Sequence, residues 1–247
     1  MRYEELTIEG RNAVLEAFRA GKTIDKLFVL DGCQDGPVRT IVREAKKYDT
    51  IINYVAKERL DQMSETGKHQ GVIAYAAAYE YAEVEDMLKL AEERGEDPFL
   101  ILLDNIEDPH NLGAIIRTAE AAGAHGVVIP KRRSASLTLT VGKTSAGAAS
   151  WLPVARVPNL ASAMETLKKN GVWIYGTDAA GTSYTDADFT GGTAFVIGSE
   201  GFGMSRLVSE KCDAMLSLPM RGKVNSLNAS VAAGIFMYEA VRQRLAK

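Results

Sequence analysis

From about residue 99 onward, short apolar runs alternate with segments of helical periodicity, and this alternation limits the chain to an α/β fold. The apolar runs predict strands at residues 99–103, 126–129, 172–175, 194–197 and 214–218. The helical segments are residues 112–122, 160–169 and 229–244. Near-continuous apolar strands are typical of a parallel sheet that is covered on both faces. In such sheets ligands bind at the loops that follow the carboxyl ends of the strands.

The front of the chain predicts a smaller α/β unit. Its helices are expected at residues 10–20 and 37–48, and its strands at residues 26–30, 52–55 and 71–75. Residues 80–97 then carry apolar side chains at helical spacing among many carboxylates, which indicates a solvated connecting helix. We therefore predict a small domain over residues 1–76, an acidic helical linker over 77–98 and a larger domain over 99–247.

The net charge of −3 argues on its face against a nucleic-acid binder, but the charge is unevenly distributed. Residues 1–75 hold 12 basic and 12 acidic side chains, residues 76–98 hold 2 and 8, and residues 99–247 hold 15 and 12. The excess acid therefore lies in the predicted linker, and the last part of the chain is mildly basic. Nucleic acid stays open as a partner.

Several compartments and site types are not expected. No apolar window approaches 18 residues, and the opening segment MRYEELTIEG has no apolar run, so neither a transmembrane helix nor a signal peptide is predicted. Cys33 and Cys212 are far apart and form no CxxC pair, which argues against a disulfide framework or a metal site. A cytoplasmic location is the expectation for such a chain.

Three loops that follow predicted strands have unusual sequences, and the first is residues 104–113, DNIEDPHNLG. It leads into a helix that carries Arg117. Taken alone, this loop is explained by a helix start capped by Asp108 or Asn111, with Arg117 as a surface charge. An arginine one turn into a helix is also suited to grip a phosphate with its planar guanidinium.

The second loop, residues 198–205, reads GSEGFGMS, and the third, residues 218–230, reads LPMRGKVNSLNAS. The glycines of the second allow a close approach of backbone to a ligand, or simply a tight turn. Arg206 stands where a dinucleotide fingerprint needs its third glycine, and no GxxxxGK[ST] motif is present, so a dinucleotide enzyme or a P-loop NTPase is disfavoured. The third loop opens the last helix, where Ser226 or Asn228 can serve as the cap.

Taken together, the three motifs are far more specific than any one of them. DNxxDPxNxGxxxRTA, IGSEGxG and LPMxGxxxSLNxSxA, in this order, resemble the SpoU (TrmH-like) branch of the SPOUT RNA 2′-O-ribose methyltransferases over about residues 99–247. IEGRNAVLEAF at residues 8–18 and KHQGV at residues 68–72 are similar to the ribosomal-protein-L30e-like substrate-binding domain of one subgroup. That subgroup modifies a guanosine of large-subunit ribosomal RNA.

The resemblance implies a deep trefoil knot in the parallel-sheet domain, S-adenosylmethionine as the cofactor, a ribosomal RNA partner and a homodimer. General rules of chain topology make knots nearly absent, so nothing in the composition or spacing indicates one. The motif positions expected to act in catalysis are Asn111, Arg117, Glu200, Ser226 and Asn228. Those expected at the cofactor are Thr177, Gly198, Gly201, Leu218, Met220 and Leu227.

Candidate RNA contacts come from basic residues near the predicted site and from the KHQGV segment. They are Lys131, Arg132, Arg133, Lys143, Arg221 and His69. A charge run is usually a solvated surface, and His69 suits domain packing as well as an RNA contact. The basic run gains weight because it follows Pro130 at a predicted strand end beside the expected site.

The implied reaction is attack of a ribose 2′-hydroxyl on the methyl group of a sulfonium. The family assigns the base to Arg117, although a guanidinium keeps its proton to above about pH 12. Either the arginine loses its proton with help from a substrate phosphate, or it fixes that phosphate while another group takes the proton. We expect methylation of a guanosine in 23S ribosomal RNA. The alternatives are a tRNA guanosine methyltransferase and, from another class, an inactive RNA-binding adaptor.

Overall fold

A computed structural model describes residues 6–246 of the chain, and its contacts divide it into two compact units. The first unit ends at Glu80 and also includes Ser136–Leu139. The second comprises Tyr81–Ala135 and the residues from Thr140 onward. No helix among the described residues is long and apolar enough to cross a membrane.

The first unit is a four-stranded sheet with helices on both faces. Its strands are β1 (Leu6–Glu9), β2 (Ile24–Leu30), β3 (Ile51–Val55) and β4 (Val72–Ala76), in the spatial order β1-β4-β2-β3. Its helices are α1 (Arg11–Arg19), α2 (Gly36–Lys47) and α3 (Lys57–Met63). Phe18 of α1 and Ile41 of α2 pack with Leu27 in one core, whereas Leu60 of α3 packs against Ile73 in another. The predicted elements are present, and the sequence pattern missed β1 and α3.

The second unit contains the parallel sheet that the apolar runs predict. Its strands are β5 (Phe99–Asp104), β6 (Gly126–Pro130), β7 (Val154–Val157), β8 (Trp173–Ser183), β9 (Thr193–Gly198) and β10 (Ala214–Ser217). They lie in the order β10-β8-β9-β5-β6-β7, and every neighbouring pair is parallel. All six residues of β5 are buried, which agrees with a sheet covered on both faces.

The helices that follow the first unit along the chain are α4 (Val84–Arg94), α5 (Pro109–Ala121), α6 (Leu139–Thr144), α7 (Leu160–Lys169), α8 (Arg206–Glu210) and α9 (Ala229–Leu245). Asp108 caps α5 and Asn159 caps α7, each by accepting a backbone N–H from the first turn. The long helices were predicted within a few residues. The short elements β7, α6 and α8 were not predicted, because a run of four to six residues carries too little periodicity.

The linker prediction needs correction, because α4 is not a solvated connection. Val84, Met87 and Ala91 form a buried face that belongs to the same apolar core as Leu100. A Cβ atom on Gly126 would lie 2.3 Å from the Met87 sulfur, so this packing is tight. The apolar positions at helical spacing are thus the buried stripe of an amphipathic helix of the second unit.

One irregularity of the sheet lies in the pairing of β8 with β10. Met215 of β10 lies opposite Gly176 of β8, whereas the next residue, Leu216, lies opposite Thr182. Residues 177–181 therefore form an extra segment within β8 that does not pair with β10. This segment begins at Thr177, one of the predicted cofactor residues.

Candidate active site

The unpaired segment of β8 that begins at Thr177 and the loops after β9 and β10 surround a cavity of about 620 Å³. This volume lies within the range of about 300–1,000 Å³ that is typical of small-molecule sites. Five of the six predicted cofactor residues line it, namely Thr177, Gly198, Leu218, Met220 and Leu227, and so do Glu200 and Ser226. Gly201 is not part of the lining.

The side chain of Asn228 connects the three loops. Its Nδ2 donates one hydrogen bond to Oδ1 of Asn111 at 2.9 Å and another to Oε1 of Glu200 at 2.5 Å. Its Oδ1 accepts the backbone N–H groups of Ser230 at 3.0 Å and Val231 at 3.3 Å, and so caps α9. The helix start needs an acceptor there, which fixes the orientation of the amide and points its NH₂ group at the other two loops.

Glu200 is held at the start of α9 by two donors. In addition to the Asn228 amide, its Oε1 accepts the backbone N–H of Ala229 at 3.2 Å. A carboxylate at a helix N-terminus is stabilised by the free N–H groups and by the helix dipole. The second oxygen, Oε2, has no hydrogen-bond partner among residues 6–246 and is the acceptor left for a ligand.

The second loop is closed by backbone contacts that require Gly198. The backbone N–H and C=O of Ser199 pair with those of Gly203 at 3.1 and 2.8 Å. A Cβ atom on Gly198 would lie 2.4 Å from the Gly203 carbonyl carbon, so no larger residue fits without moving the loop. By contrast, a Cβ atom on Gly201 would meet nothing within 4 Å in this chain.

Asp104 anchors the far end of the same loop, and the sequence analysis assigned it no role. Its carboxylate is 6% exposed, and its Oδ2 accepts the backbone N–H of Ser205 at 2.6 Å. It thereby ties the end of β5 to the end of the second loop. The signal was present in the sequence, since a carboxylate that closes the apolar strand FLILLD needs a donor when it is buried.

Arg117 lies apart from this network. Its side chain is exposed on α5, and it forms no hydrogen bond or ion pair with any described residue. It is also absent from the lining of the cavity. The structure thus brings Asn111, Glu200, Ser226 and Asn228 together and leaves the guanidinium of Arg117 available to a substrate.

The predicted RNA contacts fall into two groups. Arg132, Arg133, Lys143 and Arg221 are exposed, and Lys131 is half-buried. His69 differs, because it is only 7% exposed and both ring nitrogens have partners. Its Nε2 lies 2.9 Å from Oδ1 of Asp61, and its Nδ1 accepts the N–H of Gly71 at 3.0 Å. This geometry favours domain packing, the second of its two expected roles.

No cluster of three or more His, Cys, Asp or Glu side chains in the described part of the chain is arranged to hold a metal ion.

Comparison with known proteins identifies relatives of both units. Residues 98–238 match the family model described as the SpoU rRNA Methylase family, and residues 7–82 match that of RNA 2′-O ribose methyltransferase substrate binding. A putative TrmH family tRNA/rRNA methyltransferase of Bacillus subtilis (strain 168), YacO, is 53% identical over 236 residues, covering 95% of this chain and 94% of YacO.

Two solved structures extend the comparison. The SpoU methyltransferase AviRb from Streptomyces viridochromogenes, in complex with the cofactor AdoMet, is 29% identical with a TM-score of 0.61, and the match covers 99% of this chain and 92% of AviRb. A TrmH/SpoU tRNA modifying enzyme of A. aeolicus is 30% identical with a TM-score of 0.56. That match covers 66% of this chain and 85% of the other.

Proposed function

Because this chain belongs to the SpoU family and is an S-adenosylmethionine-dependent RNA 2′-O-methyltransferase, we propose that its substrate is a guanosine ribose of large-subunit (23S) ribosomal RNA. The observation that carries the proposal is the RNA substrate-binding unit, which the family model matches over residues 7–82. The tRNA modifying enzyme of A. aeolicus matches only 66% of this chain. A tRNA guanosine is the second candidate, since YacO is named for both RNA classes.

The cavity fits an amphipathic methyl donor. Leu218, Met220 and Leu227 offer apolar surface, and Glu200, which also lines the cavity, offers a carboxylate oxygen. S-adenosylmethionine, when bound, supplies a methyl group on a positively charged sulfonium. We assign the apolar wall to its adenosyl part, and the tight backbone at Gly198 leaves that edge of the cavity free of side chains.

The work left to the protein is mainly alignment. A donor that is already activated needs its acceptor held in line, and such positioning is worth effective molarities of about 10⁵–10⁸ M. We assign the ribose hydroxyl to the polar group formed by Asn111, Glu200, Ser226 and Asn228. Arg117 fixes the adjacent phosphate, a role supported by its exposed and unpaired guanidinium. In the first of the two alternatives given above, Arg117 also takes the hydroxyl proton, and in the second another group takes it.

A homodimer is part of the same proposal. Arg117 lies outside the cavity of its own chain, which supports a site completed by a second copy. Val231, Tyr238 and Leu245 recur every seven residues on α9 and are 51, 51 and 83% exposed, an apolar stripe typical of a helix that packs against another. Gly234 of the same helix serves internal packing, since a Cβ atom on it would lie 3.7 Å from the side chain of Thr118 of α5.

The test is methyl transfer from labelled S-adenosylmethionine to unmodified large-subunit RNA fragments, with tRNA transcripts in parallel and the product nucleotide mapped. The proposal predicts label on one guanosine of the ribosomal fragment. Label on tRNA alone would establish the second candidate. Calorimetric titration with S-adenosylmethionine tests the remaining alternative, because an inactive adaptor with a dead site would bind RNA but not the cofactor.

A further inference from the structure

The ring of Phe202 stands in solvent at the rim of the cavity. It is 92% exposed at the tip of the second loop. Glu200 and Gly203, on either side of it in the sequence, both line the cavity. Single exposed apolar residues are common on protein surfaces, so the exposure carries weight only together with the structure of the loop and the charges nearby.

The loop presents this ring in a fixed position. The paired backbone groups of Ser199 and Gly203 close the loop around it, and the Phe202 N–H donates to Oγ of Ser199 at 3.3 Å. Beyond the ring, the Ser205 N–H is bound by the buried carboxylate of Asp104 at 2.6 Å. A ring on a loop that is already ordered pays little further entropy when it binds a partner.

Two cations lie at the rim of the same cavity. The third loop lines the cavity on both sides of an exposed turn, with Met220 before the turn and Asn225 after it. Within the turn, Arg221 and Lys223 are exposed and form no ion pair or hydrogen bond with the described residues. An aromatic face beside unpaired cations is the combination that binds single-stranded nucleic acid, by base stacking and by phosphate contacts.

We propose that Phe202 is a stacking platform for a base of the RNA strand whose ribose enters the cavity, with Arg221 and Lys223 on its phosphates. The proposal rests on the function proposed above only in taking RNA as the substrate, and it holds for ribosomal RNA and tRNA alike. A second copy of the chain is the competing occupant. It is disfavoured because symmetric docking of this rim would bring like charges together, whereas RNA phosphates complement them.

The experiment uses the full chain and five variants of it, and measures RNA affinity, turnover, S-adenosylmethionine affinity and melting temperature. The probe is the unmodified large-subunit fragment. If the wild-type protein methylates the tRNA transcript instead, the transcript is the probe. For Phe202→Ala we expect RNA affinity to fall about 10- to 100-fold, the range of one lost base stack. Cofactor affinity and melting temperature stay as in the wild type. Phe202→Trp restores RNA affinity, and Phe202→Leu does not, because leucine is apolar but has no π face.

Salt dependence separates stacking from charge. The slope of log affinity against log salt stays unchanged in Phe202→Ala, whereas Arg221→Ala reduces it by about 0.7, the value for one phosphate contact on a single strand. Trp151→Ala is the matched control. Trp151 is 80% exposed but precedes β7, at the amino ends of the strands and away from the cavity, so its removal leaves RNA affinity unchanged.

Four outcomes would overturn the inference. They are wild-type RNA affinity in Phe202→Ala, full rescue by leucine, a parallel loss of cofactor affinity, and a shift from dimer to monomer in sedimentation of Phe202→Ala. The third would make the ring a support of the loop, and the fourth would make it a contact between copies. Failure of the wild-type protein to methylate any RNA would instead refute the proposed function and, with it, this inference.

Discussion

Asn228 donates a hydrogen bond to Asn111 across 117 positions of sequence, and the same amide also binds Glu200. One side chain therefore holds the start of α9, the start of α5 and the glycine loop in a fixed arrangement. Because its Oδ1 accepts the N–H groups at the start of α9, the orientation of the amide is fixed and its two N–H donors point at Asn111 and Glu200. The loops form one site because this amide has both a donor end and an acceptor end.

The first prediction separates those two ends. Asn228→Asp keeps an acceptor for the α9 cap, so the free energy of unfolding should change little. It removes both donors and places a second carboxylate beside Glu200, so turnover should fall about 100-fold or more. Asn228→Ala should also lose the cap, at a cost of about 0.5–2 kcal/mol in stability. Thermal unfolding and a turnover assay on both variants check this, and wild-type turnover in the aspartate variant would contradict it.

Arg117 is predicted to act on the substrate and not on the cofactor. Arg117→Ala should abolish methyl transfer while S-adenosylmethionine affinity stays near the wild-type value, because the side chain does not line the cavity. Arg117→Lys should also fail, since lysine lacks the bidentate fork. Calorimetry and turnover decide this, with Arg206→Ala as an exposed arginine control from the same unit. Near-normal turnover in the lysine variant would leave only a requirement for positive charge.

The two glycines of the second loop should respond differently to substitution. Gly198→Ala forces its new methyl group against the backbone of Gly203 and should lower the melting temperature and cofactor affinity together. At Gly201 a Cβ atom would meet nothing within 4 Å, so the melting temperature of Gly201→Val should hold, while the branched side chain next to the cavity residue Glu200 should lower cofactor affinity. If Gly201→Val lowers both, that glycine serves the geometry of the turn and not the ligand.

His125 predicts a pH dependence of stability. The ring is fully buried, its Nδ1 accepts the N–H of Phe99 at 3.0 Å, and its Nε2 lies 3.0 Å from Oε2 of Glu96. Burial lowers the pKa of His125 below its usual 6.5, although Glu96 opposes this. Below about pH 6.5, the usual pKa of histidine, the unfolded chain binds more protons than the folded chain. The free energy of unfolding therefore falls as the pH decreases through this range.

The measurement for His125 is thermal unfolding between about pH 7.5 and pH 5, on the wild type and on His125→Gln. The variant should be less stable at neutral pH, because the Phe99 N–H loses its acceptor. It should also lose part of the pH dependence. An equal pH dependence in both proteins would show that other groups control acid stability.

The division of the chain predicts which fragment folds. Residues 81–247 retain α4 and should form a folded unit that binds S-adenosylmethionine. Residues 99–247 lose the buried Val84 and Met87, each worth about 1.5–3 kcal/mol, and should melt at a far lower temperature. Without the first unit, residues 81–247 should methylate ribosomal RNA poorly and bind it with a steep salt dependence. Full activity at the wild-type nucleotide would place substrate selection in the second unit.

The sequence predicted those parts of the fold that local patterns determine. Apolar runs predicted the buried strands, and helical periodicity predicted α7 with the bounds that the structure shows, residues 160–169. The prediction that α4 is a solvated linker helix was wrong. An acidic helix with one apolar stripe has the same sequence pattern whether that stripe is buried or exposed. The split pairing of β10 with β8 could not be predicted, since it depends on register between strands about 40 residues apart. The trefoil knot, implied by the resemblance alone, stays a prediction.

The site was predictable as a set of residues but not as an arrangement. Motif order brought Asn111, Glu200 and Asn228 into one expectation, while the direction of each hydrogen bond depends on tertiary structure. Asp104 was missed because its partner is a backbone N–H far along the chain. The chemical roles of the motif residues, including Arg117, stay predictions.

We propose that this site transfers a methyl group to the 2′-oxygen of one guanosine in large-subunit RNA. The most direct measurement uses the mapped RNA fragment in two forms, one with guanosine and one with 2′-deoxyguanosine at that single position. We expect transfer of labelled methyl to the first fragment and none to the second, with both fragments binding the protein with equal affinity. Equal labelling of the deoxy fragment would contradict methylation of that 2′-oxygen, because the methyl group would then be on a base or another nucleotide.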